Sequence, residues 1–143
     1  MDIEKVSEFA REVFLSERKS ETVHIKGFPW KIWAKIKTKT QSTDNEKWLN
    51  FSFLCDAPKE ENWNCKCSAI LRIVSKKNGV SDFRREFEDH VFDNKDNKGW
   101  GYANFISFAE LMDTSKGFYD KSEDKVTLAI DFSVKEAKME EKS

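Results

Sequence analysis

The residues of this sequence best suited to chemistry are three cysteines and one histidine. Cys65 and Cys67 are two positions apart, so on a β-strand both sulfurs would lie on one face, where Cys55 and His90 could complete a zinc site. The neighbouring alternate positions are apolar, however, which favours buried, unreactive thiols over metal ligands. Three cysteines are also an odd number, and Cys-Lys-Cys is too short a spacing for an ordinary disulfide. We therefore expect no metal site and no cofactor.

Motifs for nucleophilic or acid–base catalysis are missing from the sequence. It has two histidines, His24 and His90, neither in a catalytic motif, and it has no Gly-x-Ser-x-Gly turn, glycine-rich phosphate loop or His-Glu-x-x-His motif. The segment 93–99 has the composition of a calcium loop, but Lys95 occupies a ligand position and Lys98 the position of the turn glycine. We expect no enzymatic activity and no catalytic residues.

Aromatic residues outside the predicted core indicate binding instead. Trp33 lies beside Lys35, Lys37 and Lys39, a basic and aromatic stripe that could bind nucleic acid. The chain has 25 Lys and Arg against 26 Asp and Glu, a net charge of −1, so a solvated strand face is favoured and we expect neither nucleic acid nor a membrane as partner. The aromatic residues that alternation does not bury are Trp33, Trp48, Trp100 and Tyr102.

Alternation of apolar and polar residues is the dominant pattern, and it is typical of strands with one buried face. Polar, turn-rich stretches separate these segments, and no helical pattern of roughly 10–15 residues lies between them, which favours an all-β antiparallel sandwich over a parallel α/β sheet. The predicted strands are 30–37, 49–55, 63–73, 83–92 and 126–134, with a further short strand from 105 that turns into a helical corner by 112.

Three segments depart from simple alternation. The apolar residues from Val6 to Phe14 recur at helical spacing, and Gly27-Phe28-Pro29 shifts the apolar parity, which indicates a bend or bulge. The chain is long enough for one domain, which we place at 1–134, followed by a charged tail at 135–143 that we expect to be solvated helix or disordered.

With no apolar run long enough for a membrane span and no signal peptide, we expect an intracellular protein, cytoplasmic or nuclear.

A series of motifs, taken in order, resembles the MATH domain, the meprin and TRAF homology family, and the resemblance covers Val6 to Val134. The motifs are Gly27-Phe28-Pro29-Trp30-Lys31-Ile32, Trp48–Leu54, Trp63-Asn64-Cys65, Leu71-Arg72-Ile73-Val74, Trp100–Ile106, Leu111-Met112-Asp113, Gly117-Phe118-Tyr119 and Asp124–Leu128. The resemblance implies an eight-stranded antiparallel TRAF-like β-sandwich without catalysis. It also implies a strand around Ile3 to Phe9, which we adopt in place of the helix.

The resemblance further implies a shallow groove that binds short, extended peptides of partner proteins. Such domains occur in substrate adaptors of cullin-type ubiquitin ligases, in deubiquitinases and in trimeric TRAF signalling proteins. By resemblance to the MATH–BTB adaptors, the groove positions are Trp100, Tyr102, Lys98, His90, Ser52 and Ala69. The last three replace groove aromatics of those adaptors, so the Ser/Thr-rich motif they bind need not be the ligand here. The alternative is a self-associating domain, a homo-oligomer that pairs through Trp33 and the outward sheet faces.

Overall fold

The alternating segments form two antiparallel sheets whose apolar faces pack against each other. The computed structural model describes residues 1–7, 17–38, 47–58, 60–95 and 99–140. The strands in these ranges are β1 (Asp2–Glu4), β2 (Glu17–Lys19), β3 (Val23–Ile25), β4 (Phe28–Thr38), β5 (Lys47–Cys55), β6 (Asn62–Ile73), β7 (Phe83–Asp93), β8 (Gly99–Ser107) and β9 (Lys125–Glu140), and a short helix, α1 (Phe108–Leu111), follows β8. The predicted all-β class and the helical corner are confirmed.

The strand order explains the eight-stranded architecture that the resemblance predicted. One sheet has the order β1-β9-β6-β7, and the other has the order β2-β4-β5-β8 with β3 also paired to β4. Strands β2 and β3 pair with successive parts of β4, since Lys19 lies opposite Trp33 and Val23 lies opposite Trp30. If β2 and β3 are counted as one interrupted edge strand, each sheet has four strands.

The core lies between the two sheets and is rich in aromatic rings. Phe51 and Phe53 on β5 are at most 1% exposed, and the Trp30 ring lies 5.2 Å from that of Phe53. The three cysteines are reduced thiols buried in the same core, as the alternation predicted. Contact with the neighbouring sulfur 3.4 Å away, together with burial, raises the pKa of the Cys67 thiol, which makes it a poor nucleophile or metal ligand.

The parity shift at Gly27 arises from a hairpin turn, so the predicted bend or bulge is wrong. Ile25 pairs with Phe28 across a two-residue turn, and Lys26 and Gly27 both have positive φ, 49° and 81°. Two positive φ angles are characteristic of a type I′ turn, whose twist matches that of the strands it joins. The apolar parity changes because the chain reverses direction at this point.

Both termini also differ from expectation. Strand β1 ends at Glu4 and Val6 and Ser7 are helical, so the strand predicted over Ile3 to Phe9 is shorter; residues 8–16 lie outside the described residues. The predicted helix or disorder after Val134 is wrong for 135–140, because β9 continues beside β6 up to Glu140. Residues 135–138 are exposed and still form a strand, because they pair with β6, which composition alone does not reveal. The domain boundary at 134 stays a prediction.

No helix in the described ranges is long and apolar enough to cross a membrane.

Candidate functional site

The edge strands β7 and β8 carry several aromatic residues that are half-buried and one, Trp100, that is exposed. Each ends its sheet, and among the described strands each pairs with one neighbour, β7 with β6 and β8 with β5. Trp100 lies opposite Phe53 and Tyr102 lies opposite Phe51. Because opposed residues of antiparallel strands share a face, both aromatic side chains point to the inner face, at the rim of the core. Trp100 is nevertheless 41% exposed, since no further strand of the described ranges lies beyond β8.

Four rings come together between these two edges, and we call them the aromatic slot: Phe87, His90, Trp100 and Tyr102. The imidazole of His90 stacks on the Trp100 indole with 4.0 Å between centroids and 29° between planes. Phe87 approaches the same indole edge-on at 6.2 Å. The Tyr102 hydroxyl donates to the Glu86 carbonyl oxygen at 2.7 Å, which ties β8 to β7 across the gap between the sheets. The slot is therefore a preformed surface.

A bulge in β7 places both Phe87 and His90 in the slot. Residues three apart on a regular strand would face opposite sides, but here Ala69 pairs with Phe87 and Cys67 pairs with His90. One extra β7 residue is thereby accommodated opposite Ser68. Asp89 has a φ of 54°, its N–H donates to Ser68 Oγ at 3.0 Å, and its carboxylate pairs with Lys135 at 2.6 Å.

The electrostatics of His90 suit a stacked, uncharged ring. Burial lowers the pKa of the imidazole, and the nearby carboxylate of Asp93 opposes that shift only in part. His90 is therefore neutral near pH 7. Its Nε2 is buried and has no hydrogen-bond partner within the described part of the chain.

Arg85 borders the slot and was missed by the sequence analysis. Its Nε donates to the carbonyl oxygen of Phe105 at 3.2 Å, and its guanidinium lies 5.7 Å from the centre of the Tyr102 ring. Phe87 was missed as well. The signal that could have found both is the change of apolar parity between Phe87 and Phe92, which marks the bulge and fixes the inward face of β7.

The remaining predicted groove residues are placed elsewhere. Ser52 lies opposite Gly101 on β8 and opposite Trp33 on β4, so it faces outward, on the other side of the sheet from the slot. Ala69 is a correction: it is 3% exposed and belongs to the core, because its parity on β6 is that of the buried row. Lys98 lies outside the described residues. The structure thus brings together Trp100, Tyr102 and His90.

Of the predicted basic and aromatic stripe, Trp33 and Lys35 contact each other and their neighbours, whereas the side chain of Lys37 and the whole of Lys39 lie outside what the structure describes. Trp33 is half-buried, and its Nε1 donates to Glu17 Oε2 at 2.9 Å. The ammonium groups of Lys19 and Lys35 lie 5.1 Å and 3.6 Å from the Trp33 ring. We call Trp33, Glu17, Lys19 and Lys35 the Trp33 cluster. The cation–π contacts, and the hydrogen bond from the indole N–H to a carboxylate, leave little of the Trp33 surface available to a partner.

A second cleft has none of the four slot residues in its lining, but it adjoins the slot, because its lining residue Phe53 stacks on Phe87 with 5.6 Å between ring centroids. Its volume is about 460 Å³, and its lining includes Val23, Ile25, Ile32 and Ile130. Most of its lining residues are aliphatic or aromatic, and the polar ones are Ser20, Glu21 and Lys31. The aromatic slot adjoins the edge of β8 that has no strand partner among the described residues, and backbone groups at such an edge can form directional hydrogen bonds.

Comparisons with known proteins agree with the architecture. The sequence matches the MATH domain family over residues 1–132. It is similar to ubiquitin carboxyl-terminal hydrolase 7 of Drosophila melanogaster, with 31% identity over 104 residues, which are 72% of this chain and 8% of the hydrolase. It is also similar to BTB and MATH domain-containing protein 38 of Caenorhabditis elegans, with 26% identity over 93 residues, 64% of this chain and 23% of that protein.

The chain thus spans less than a quarter of the length of either relative. The family match covers nearly the whole sequence, and MATH domains are generally protein-interaction modules without catalysis. The order of motifs, the two-sheet topology and the family match all agree. This chain belongs to the MATH domain family.

Proposed function

We propose that the aromatic slot and the open edge of β8 bind a short, extended peptide segment of a partner protein. The observation that carries the proposal is Trp100, which is 41% exposed, stacked on His90 and located on β8, which has a strand partner on one side only in the described part of the chain. The peptide adds to β8 as a further strand, with main-chain hydrogen bonds to β8 and alternate side chains packed against the slot.

The physical properties of the slot suit this mode of binding. Aromatic rings supply apolar area with few rotatable bonds, so little side-chain entropy is lost when the peptide binds. The contacts of the His90 and Trp100 rings, and the hydrogen bond from Tyr102, hold the surface in place before binding. A shallow site of this size predicts micromolar affinity, about −7 to −8 kcal/mol. Tighter binding in a cell then requires several copies to act together.

The relatives support a role in the ubiquitin system, in which the domain selects partner proteins for an adaptor or a signalling scaffold. One relative is named as a ubiquitin carboxyl-terminal hydrolase and the other as a BTB and MATH domain-containing protein. In this proposal the domain itself carries out no chemistry. It delivers a bound protein to a catalytic or scaffold unit, such as a cullin-type ubiquitin ligase, that is contributed by other domains or subunits.

A peptide-display selection tests the proposal. We expect the wild-type domain to enrich a common short motif and Trp100→Ala to lose it, since truncating an aromatic anchor costs roughly 2 kcal/mol or more, about a 30-fold loss of affinity. Trp33→Ala is the matched control, because it removes the same side chain from another strand, and it should enrich the wild-type motif. Circular dichroism establishes that each variant is folded. Equal enrichment by wild type and a folded Trp100→Ala would contradict the proposal, as would the absence of any motif.

A further inference from the structure

We infer that Arg85 makes the domain selective for peptides with an acidic side chain two positions from the residue that packs on Trp100. This inference rests on the proposed function and names the class of peptide bound at the same site. It comes from the position of Arg85, from the way its guanidinium is held, and from the carboxylates around it.

Arg85 points into the space that a peptide on β8 would occupy. It lies opposite Leu71, which is fully buried, so its side chain leaves β7 on the inner face. It is exposed, and its guanidinium lies 5.7 Å from the Tyr102 ring and 5.9 Å from the Phe105 ring. The cation therefore lies at the rim of the slot, beside the same strand that carries Trp100.

The guanidinium is oriented, and its terminal nitrogens form no hydrogen bond with any residue that the structure describes. Its Nε donates to the Phe105 carbonyl oxygen at 3.2 Å, which fixes the plane of the group. No carboxylate in the described ranges forms an ion pair with Arg85. Arg72, on the outer face of the neighbouring strand, instead pairs with Asp82 at 2.6 Å and Asp131 at 2.7 Å. An oriented arginine without an anion matches the planar geometry of a carboxylate.

The spacing along β8 fixes where the acidic residue should occur. Trp100 contacts His90 and Tyr102 contacts Arg85, so the two contact points are two residues apart on β8. Side chains on one face of an added strand repeat at the same interval, about 6.8 Å. The motif therefore combines an apolar residue over Trp100 with an acidic one two positions away. In an antiparallel peptide the acidic residue precedes the apolar one; in a parallel peptide it follows.

The test compares three domains: wild type, Arg85→Gln and Arg84→Gln. Arg84 is the matched control, because it is the adjacent exposed arginine on the opposite face of β7, opposite Arg72. In the display selection we expect wild type and Arg84→Gln to enrich an acidic position, and Arg85→Gln to enrich the apolar position alone. Arg85→Lys, which keeps the charge but not the planar fork, should retain part of the preference.

Calorimetric titration then uses one selected peptide and its Glu→Gln or Asp→Asn counterpart. We expect Arg85→Gln to weaken binding of the acidic peptide about tenfold. The neutral peptide should bind wild type and Arg85→Gln equally. Added salt should weaken only the binding of the acidic peptide to wild type. A motif that depends on Trp100 but has no acidic position would overturn this inference and leave the proposed function standing. If the wild-type domain enriches no motif, both fail. Thermal unfolding of Arg85→Gln identifies any loss that is due to misfolding.

Discussion

Trp100 and Trp33 lie on the same sheet but differ in what surrounds them. Trp33 donates its indole N–H to Glu17 and is covered by two lysine ammonium groups. Trp100 contacts the rings of Phe87 and His90, and it is 41% exposed at an edge of β8 that no described strand covers. The sequence places both tryptophans outside the predicted core, and composition does not distinguish them.

The difference shows how an edge position leaves an aromatic side chain available for the proposed binding, whereas a central position does not. A tryptophan on a central strand has neighbours on both sides, and their polar groups can satisfy its indole N–H and cover its ring. A tryptophan on an edge strand lacks one set of neighbours, so part of its apolar surface stays exposed to water. The Trp33 cluster is therefore a local stabilising feature, and the aromatic slot is a surface that gains free energy by being covered.

The largest expected effect is a loss of stability from a change in β8, the strand that carries Trp100. Its control is a change next to β4, the strand that carries Trp33. A Cβ at Gly101 would overlap the Phe51 carbonyl oxygen and the Cα of Ser52, which are held in β5. We expect Gly101→Ala to lower the free energy of unfolding by about 3 kcal/mol, because backbone atoms must move.

Gly27→Ala is the matched control at the start of β4. Gly27 has a φ of 81° but open space around the added methyl group, so we expect a loss of about 1 kcal/mol. Urea unfolding of both variants measures the two losses. Equal losses would show that the close approach of β8 to β5 is not what holds the slot in place.

A smaller loss of stability is expected from a change in the β7 bulge, which orients the His90 ring toward Trp100. Ser68→Ala removes the hydroxyl that accepts the Asp89 N–H, and we expect a loss of about 1 kcal/mol in the free energy of unfolding. The His90 ring should also stack less closely, since the bulge sets its direction. The ring-current shift of the His90 protons in the NMR spectrum reports the stacking. An unchanged shift in a folded Ser68→Ala would mean that the bulge does not depend on this hydrogen bond.

The smallest effect is a pH dependence specific to the slot. Burial lowers the pKa of His90 below the value near 6.5 that it has in the unfolded chain. As the pH falls through about 6.5 the unfolded state therefore takes up the proton first, and the folded state loses stability until the pH passes the lower folded pKa. His90→Phe keeps a ring but cannot titrate. We expect the stability of wild type to fall more steeply than that of His90→Phe between pH 7 and 5, as measured by urea unfolding. Parallel curves would contradict this account.

Much of the fold follows from alternation, because a buried sheet face requires a residue pattern of period two. The long strands β5, β6 and β9 each contain a predicted strand. Features that depend on which strands pair with each other were not predicted. The end of β9 is charged and was predicted to be helix or disorder, but β6 supplies its hydrogen bonds. The hairpin at Gly27 was interpreted as a bend because a parity shift does not reveal whether the chain reverses.

The site could be predicted only in part, for a related reason. Trp100 and Tyr102 follow from the resemblance, and His90 joins them. Ala69 was misplaced although its parity already assigned it to the core, since the resemblance was followed against the pattern. Arg85 and Phe87 were missed because the bulge at Asp89 changes which β7 residues face inward, and the parity change between Phe87 and Phe92 that marks this bulge in the sequence was not used.

The most direct test of the central claim follows the indole N–H signals in a ¹⁵N–¹H NMR titration. The chain has five tryptophans, and Trp100→Phe and Trp33→Phe assign the two signals of interest. On addition of a peptide selected by the wild-type domain, we expect the Trp100 signal and the backbone amides of β8 to shift, and the Trp33 signal to stay in place. Shifts centred on Trp33 and β4, with Trp100 unchanged, would contradict the account.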